Sequence, residues 1–525
     1  MGVHRLWIVQ DVVLEIVQKL TEGDVARERN RNLLLAARCC KAFESPCLDL
    51  MWSRMNTIIP LLRLLPGFEN HTGSIIIRGC VNQISCPRFY HYARRVQYLN
   101  FTALTMSEFG RIHLSACIRL TQIADVLLPS LRTLKIYTGE STSSQREKSL
   151  LLLSALIRSP SLHSFTLTSS EDQEGVNGEY NVGAMLTALV DLNANVQNLE
   201  ISGSLSPDRI YTLGHLKAVR SLSLRLSTTT WSFEVFAMIS LLRSLEVLFL
   251  DLDAAPPRLG LHRISDAFPN IRKLSLVGSI PLICQILVMI SGERLESITI
   301  QRDIHDTATP SLTIELSKLF YQTFGRLFNL RTIYVDWGGE RFDASYGHTP
   351  AEDMSSILYP LGQLTELESL TLKSIPPCLF ISDATILTIS TALPYITVLH
   401  LEQPIWPHSI LPTFKSLAQL ATSCPKLVKL SLTVDEARST LPKFDNVTYH
   451  GLQDLHLLDT IIIRHVQTSS YIDKLFPNLR HIDMFHYLDR KVICDIIFNA
   501  CRPARRDQLN RDLFTKNPMQ SSYYD

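Results

Sequence analysis

The sequence predicts an α/β protein in which three short N-terminal helices lead into a curved solenoid, with parallel strands on its concave face and helices on its convex face. Three observations carry that prediction. A six-residue apolar template, L-x-x-L-x-L with Ile, Val, Phe or Met allowed, recurs fourteen times, from "VQYLNF" at Val96 to "LRHIDM" at Leu479. Many copies follow a proline and a short polar residue, as in "FPNIRKL", "CPKLVKL" and "FPNLRHI", which suits a corner that ends a helix before a strand. Between copies, stretches such as "LSKLFYQTF" and "FKSLAQLATSC" place apolar residues three and four apart, the period of a helix.

Residues 1–55 lack the repeat and read as three helices, "IVQDVVLEIVQKL", "RNRNLLLAARCCKAF" and "ESPCLDLMWSRM", with Pro46 near the start of the third. Val13, Ile16, Val17 and Leu20 share one face of the first helix; Leu33, Ala36, Ala37, Cys40 and Phe43 share one face of the second. This is more apolar surface than three such helices can bury among themselves, so a neighbour or partner is expected to cover part of it. Residues 56–93 form a linker and first capping segment. The solenoid covers 94–502, its templates spaced 23 to 37 residues apart, near the length of one coil turn in repeat proteins. In "RSLEVLFLD", Leu248 and Leu250 lie two apart and point into the core, while Val247, Phe249 and Asp251 point away. Residues 503–525 carry too little periodic apolar content to join a core and are expected to be a disordered tail.

The strand-then-helix unit resembles the leucine-rich repeats of the ribonuclease-inhibitor and F-box type, with the usual asparagine ladder mostly missing. The opening helices resemble the F-box. In that family a Leu-Pro entrance and acidic residue are followed by a helix ending Val-Cys-Lys-x-Trp and another ending Leu-Trp. Here Ile8 and Val9 stand for Leu-Pro, Asp11 for the acidic residue, Cys39 and Cys40 for Val-Cys, Phe43 for the aromatic and Trp52 for the closing Trp. Val9 departs from the family's proline. The following "NTIIPLLRLLPGF" resembles the linker after the F-box in the large fungal branch of the family. The resemblance implies a non-catalytic substrate receptor of an SCF ubiquitin ligase, docked on a Skp-family adaptor and through it on a cullin, with the repeats holding a protein target. It implies adaptor contacts at Leu14, Ile16, Val17, Leu20, Leu33, Leu34, Cys40, Phe43 and Trp52. The other reading is a repeat scaffold whose first helices only cap the coil.

Composition narrows the remaining classes. Fifty-one Lys and Arg against 50 Asp and Glu leave a formal net charge of +1, which provides no global attraction to nucleic acid or anionic lipid. No apolar run of about 20 residues suggests a membrane span. Eleven cysteines, odd in number and scattered, point to a reducing cytoplasm or nucleus, where the sequons at Asn70, Asn100 and Asn446 would stay idle. Cys39, Cys40 and Cys47 read as small hydrophobes filling gaps between helices, because adjacent cysteines lack zinc-ligand spacing. No nucleotide-binding, zinc-protease or nucleophile-elbow motif occurs. Asp251 and Asp253 read as a polar strand end, His481 and His486 as non-converging, and the "ARR" and "RPARR" runs as solvated. No cofactor or metal is expected.

The working surface is then the concave face, lined by the middle position of each template: Asn100, Lys135, Thr166, Glu200, Ser223, Phe249, Ser275, Thr299, Tyr334, Thr371, His400, Ser431, His456 and Asp483. Mixed charge signs favour a protein partner over a polyanion. Val247, Phe249 and Val277 would form an apolar patch on it. The longer turns beginning at Leu295 and Leu330 add "QRDIHDTATPSLTIE" and "DWGGERFDASYGHTPAEDM". In the second, Trp337 beside Gly338 and Gly339 is expected to be exposed and to anchor a target together with Tyr334.

Overall fold

A computed structural model describes residues 10–20, 26–71, 74–78, 86–102, 111–123, 126–138, 151–169, 176–192, 195–203, 205, 210–226, 231–252, 255, 267–302, 310–338, 351–403, 410–436, 450–461 and 465–485. Ile8 and Val9, most of the two long insertions, and the tail at 503–525 lie outside these residues. The chain divides into two compact units, 1–245 and 246–525.

The first unit opens with helices α1 (Gln10–Lys19), α2 (Ala26–Cys39) and α3 (Lys41–Ser53). Their shared core is Val13, Val17, Leu33, Phe43 and Cys47, flanked by Ile16, Ala36, Ala37, Cys40, Leu50 and Met51. The apolar faces read from the sequence are therefore the ones that meet. The boundary between the second and third helices differs from expectation. Cys40 has extended backbone, φ −157 and ψ 159, and serves as the N-cap of α3, so Phe43 reaches the core from α3 rather than from α2. Cys47 fills the core as expected, whereas Cys39 is exposed and directs its thiol to Leu35 O at 3.2 Å.

Immediately after α3, residues 54–55 pair in parallel with strand 98–101, a contact that the repeat pattern does not reveal. Strands 133–138, 164–169, 198–203 and 221–226 follow in sequence order, each parallel to the one before. An antiparallel hairpin, 68–71 with 74–77, lies in the linker. Gly67 enters it at φ +78, and a Cβ there would lie 2.0 Å from Arg78 O, so only glycine fits.

The second unit is built on strands 247–251, 273–278, 297–302, 332–336, 369–373, 398–401, 429–435, 454–461 and 481–485, again parallel and in sequence order. Together with the intervening helices, such as 280–289, 310–324, 383–392, 414–423 and 465–475, each unit is a leucine-rich-repeat coil. Every repeat strand starts two residues after the first position of its template, from Val96 and Tyr98 to Leu479 and His481. The reason lies in burial. In repeat 330–335, for example, the first, fourth and sixth template positions, Leu330, Ile333 and Val335, lose nearly all exposure, while the fifth, Tyr334, stays half-exposed on the opposite side of the strand.

The helical layer of the second unit is stitched by carboxylates that reach the N-terminus of the next helix. Asp353 accepts from Thr385 Oγ1 at 2.9 Å and also from Ser382 Oγ. Asp383 accepts from Thr413 N–H at 2.7 Å, Thr413 Oγ1 at 2.8 Å and Ser416 Oγ at 2.6 Å. Buried Glu436 accepts from Thr468 Oγ1 at 2.9 Å. These bonds satisfy hydroxyls inside the coil that would otherwise be desolvated without a partner.

Candidate interaction surfaces

The first surface is on α1–α3. Because Val13, Val17 and Leu33 face inward, the helical period turns Leu14 and Leu34 outward, with 38% and 47% of their surface exposed, and Leu35 with them at 54%. Of the other residues expected to contact an adaptor, Ile16, Leu20 and Cys40 are half-buried, and Val17, Leu33 and Phe43 are interior. An interior side chain can support a docked partner only by shaping the helices it lies between. Leu35 was missed by sequence reading, although the run "LLL" at 33–35 leaves at least one leucine off any single helical face.

Trp52 stands apart from that surface. Its ring lies 4.6 Å from the Tyr92 ring, tilted by 34°, so it joins α3 to helix Pro87–Ala93. The same joint holds Arg95, only 8% exposed. Its guanidinium donates to Ser45 O at 3.2 Å and Ser45 Oγ at 3.3 Å, and is paired with the Asp49 carboxylate. Gln97 N–H reaches Ser53 O at 3.0 Å. Through these bonds α3 is tied to residues 95–97, immediately before strand 98–101.

The second surface is the helix-free side of the sheet in the second unit. The fifth template positions form an unbroken row of Cα partners: Phe249, Ser275, Thr299, Tyr334, Thr371, His400, Ser431, His456 and Asp483. Val247 and Val277 lie on the same side, opposite Lys273 and Asp251 respectively. All three apolar residues of the expected patch are half-exposed. Further along, polar side chains pair with one another. His400 Nε2 approaches Glu402 Oε2 at 3.4 Å, His456 Nδ1 approaches Asp483 Oδ2 at 3.4 Å, and Lys373 Nζ lies 5.9 Å from the centre of the Tyr334 ring. The His400 contact, opposed by partial burial and aided by Lys373, holds the Glu402 carboxyl below its ordinary range. Burial, Asp336 and Glu402 together push the Tyr334 phenol up. The row can offer hydrogen bonds and an aromatic ring, but it does not present a field of one sign.

No family model matches this chain. No curated protein matches it either. Among solved structures it is similar to an internalin from Listeria monocytogenes, 15% identical over 73% of this chain and 89% of that one, with a TM-score of 0.34. It is also similar to a chain of the Rad7 and Elc1 complex from yeast, 14% identical over 76% of this chain and 79% of that one, with a TM-score of 0.30.

Trp337 corrects the expected recognition loop. It is 1% exposed, 5.8 Å from Phe320 and 6.4 Å from Tyr321, ring to ring. The strand's alternation explains this: Ile333, Val335 and Trp337 all face inward, and Trp337 N–H extends the ladder by bonding Lys373 O at 3.1 Å. The turn begins one residue later. Gly338, at φ +65, donates its N–H to Asp336 Oδ1 at 3.1 Å. Gly338 therefore ends the strand after Trp337 has been buried instead of freeing it. Burial pushes the neighbouring Tyr321 phenol up, an effect the indole N–H partly offsets, although neither polar atom makes a well-formed hydrogen bond. Trp337 cannot meet a target without unpacking this cluster, which leaves Tyr334 as the accessible aromatic of the pair.

Among the described residues, no group of three or more His, Cys, Asp and Glu is arranged to hold a metal ion, and no helix is long and apolar enough to cross a membrane.

Proposed function

We propose that this chain is the substrate-recognition subunit of an SCF-type ubiquitin ligase, with α1–α3 docking on a Skp-family adaptor and the helix-free sheet face holding a protein target. The observation that carries the reading is the division of leucines in the first helices. A complete internal core coexists with Leu14, Leu34 and Leu35 outside it, and exposed leucines on a rigid helical module suit a protein interface. The bonds from Arg95 to α3 support the same reading, because they hold the helical module onto the repeat segment that follows it. Such a subunit needs no catalytic group; it acts by raising effective concentration.

The test is co-purification of the full chain with a recombinant Skp-family adaptor. Leu14→Asp combined with Leu34→Asp is expected to abolish binding while leaving helix content intact, since both side chains lie outside the core. An intact chain that does not bind the adaptor would instead indicate a leucine-rich-repeat scaffold without ligase association.

A further inference from the structure

Most repeats start at the same kind of corner. The N–H of the first template residue bonds the backbone carbonyl three residues earlier: Leu330 to Leu327, Leu367 to Leu364, Ile396 to Leu393, Leu427 to Cys424 and Leu479 to Phe476, at 3.1 to 3.3 Å. Leu452 is different. Its N–H is accepted by a side chain, the Nδ1 of His450, at 3.1 Å. The other ring nitrogen, Nε2, lies 2.8 Å from Cys424 O. A carbonyl can only accept, so the proton is on Nε2 and Nδ1 carries the free lone pair. The ring is 2% exposed, meets Phe476 edge-on at 5.2 Å, and its backbone carbonyl accepts from Asn478 Nδ2 at 3.0 Å. His450 therefore joins the corners of three successive repeats, at 424, 450 and 476–478.

We propose that this corner is an acid-sensitive joint: a proton added at Nδ1 removes the acceptor of Leu452 N–H and loosens the last described repeats, residues 450–485. In the imidazolium both nitrogens donate, so Nδ1–H would point at Leu452 N–H inside the coil with no acceptor between them. Titratable groups on the adjoining elements are Cys424 and Lys426 at the preceding corner, Asp454, His456 and Asp459 on the following strand, His465, Tyr471, Asp473 and Lys474 on helix 465–475, and Arg480 beyond it. Among the described side chains, none of them shifts the ring. Burial lowers its pKa, and only the bond to Cys424 O acts the other way. The sign follows from linkage. With the folded pKa below the unfolded one, opening takes up a proton as pH falls below the unfolded value, and the joint weakens until the folded value is reached. His456 and Asp483 of the sheet face lie on the strands that loosen, so acidification would dissolve that end of the candidate target surface. The inference is independent of any adaptor.

The experiment is hydrogen exchange by mass spectrometry on the full chain between pH 7.5 and 5.5, corrected for intrinsic exchange rates. Peptides from 450–461 and 476–485 should lose protection by about tenfold per pH unit below pH ~6.5, while peptides from 369–403 should not. His450→Asn retains an oxygen able to accept the N–H two residues on but does not titrate, so it should flatten the profile. An equal loss in His450→Asn, or wild-type peptides that lose nothing, would overturn the proposal. If the variant does not fold, the wild-type comparison alone decides: a loss confined to 450–485 supports the joint, and one shared with 369–403 refutes it.

Discussion

Replacing Asp383 by alanine isolates what the carboxylate ladder contributes to the coil. The residue lies at the start of helix 383–392 and accepts three hydrogen bonds from the next repeat: Thr413 N–H, Thr413 Oγ1 and Ser416 Oγ, at 2.7, 2.8 and 2.6 Å. Bonds to a charged acceptor contribute at least about 1.5 kcal/mol each, giving a sum of roughly 4.5 kcal/mol. Asp383 and Thr413 are only half-buried, so water can replace part of two of these bonds. Ser416, at 1% exposure, has no such replacement, and an orphaned buried hydroxyl by itself costs about 1–3 kcal/mol. The net loss should be about 3 kcal/mol, roughly two orders of magnitude in the opening constant. Repeat proteins open locally, so hydrogen exchange of peptides 383–392 and 410–423 is the suitable assay. Asp383→Asn keeps an acceptor for Thr413 N–H and should lose only about 1 kcal/mol. A protection change under about threefold for Asp383→Ala, or a larger effect for Asn than for Ala, would refute the ladder as a source of stability.

Asp353 links the ladder to pH. Burial acts upward on its carboxyl, but the bonds from Ser355, Ser382 and Thr385 prevail and hold it below the ordinary range. Its stabilisation is therefore complete above about pH 4, the unfolded value, and is lost as pH falls through the lower folded one. Urea unfolding of Asp353→Asn should have a flatter stability profile than the parent between pH 5 and pH 3. Arg95→Ala should release α3 from the first strand and speed protease cleavage between 41 and 66 at least several-fold, with residues 369–403 unaffected; equal cleavage rates would show that the Trp52–Tyr92 stack suffices. Burial pushes the Cys284 thiol up to about 12 and those of Cys378 and Cys424 up to about 11. In the native chain at pH 8, an alkylating reagent should label exposed Cys39 long before any of these three, as peptide mass mapping can check.

The sequence by itself determined the repeat. Period-two apolar spacing in "LRTIYV" or "LVKLSL" has only one buried side, and stacking like on like puts every fifth template position in one row, so strand starts and the Phe249-to-Asp483 register could be read without coordinates. It determined equally which faces of α1 and α2 turn to their common core, because the helical period selects Val13 and Val17 on one and Leu33 on the other. What it left undecided depends on partners distant along the chain. Trp337 was read as exposed from its glycines, and the outcome was settled by Phe320 and Tyr321 on the preceding helix, which form the site it fills. The break at Cys40, the pairing of 54–55 with strand 98–101, and the carboxylates of Asp353 and Asp383 likewise have no local periodic signal. A polar residue beside a helix looks the same in sequence whether it faces water or the next turn of the coil. Only the tertiary structure brings Ser416 to Asp383 and Leu452 N–H to His450, because those contacts follow from the stacking of repeats rather than from the propensity of any one of them.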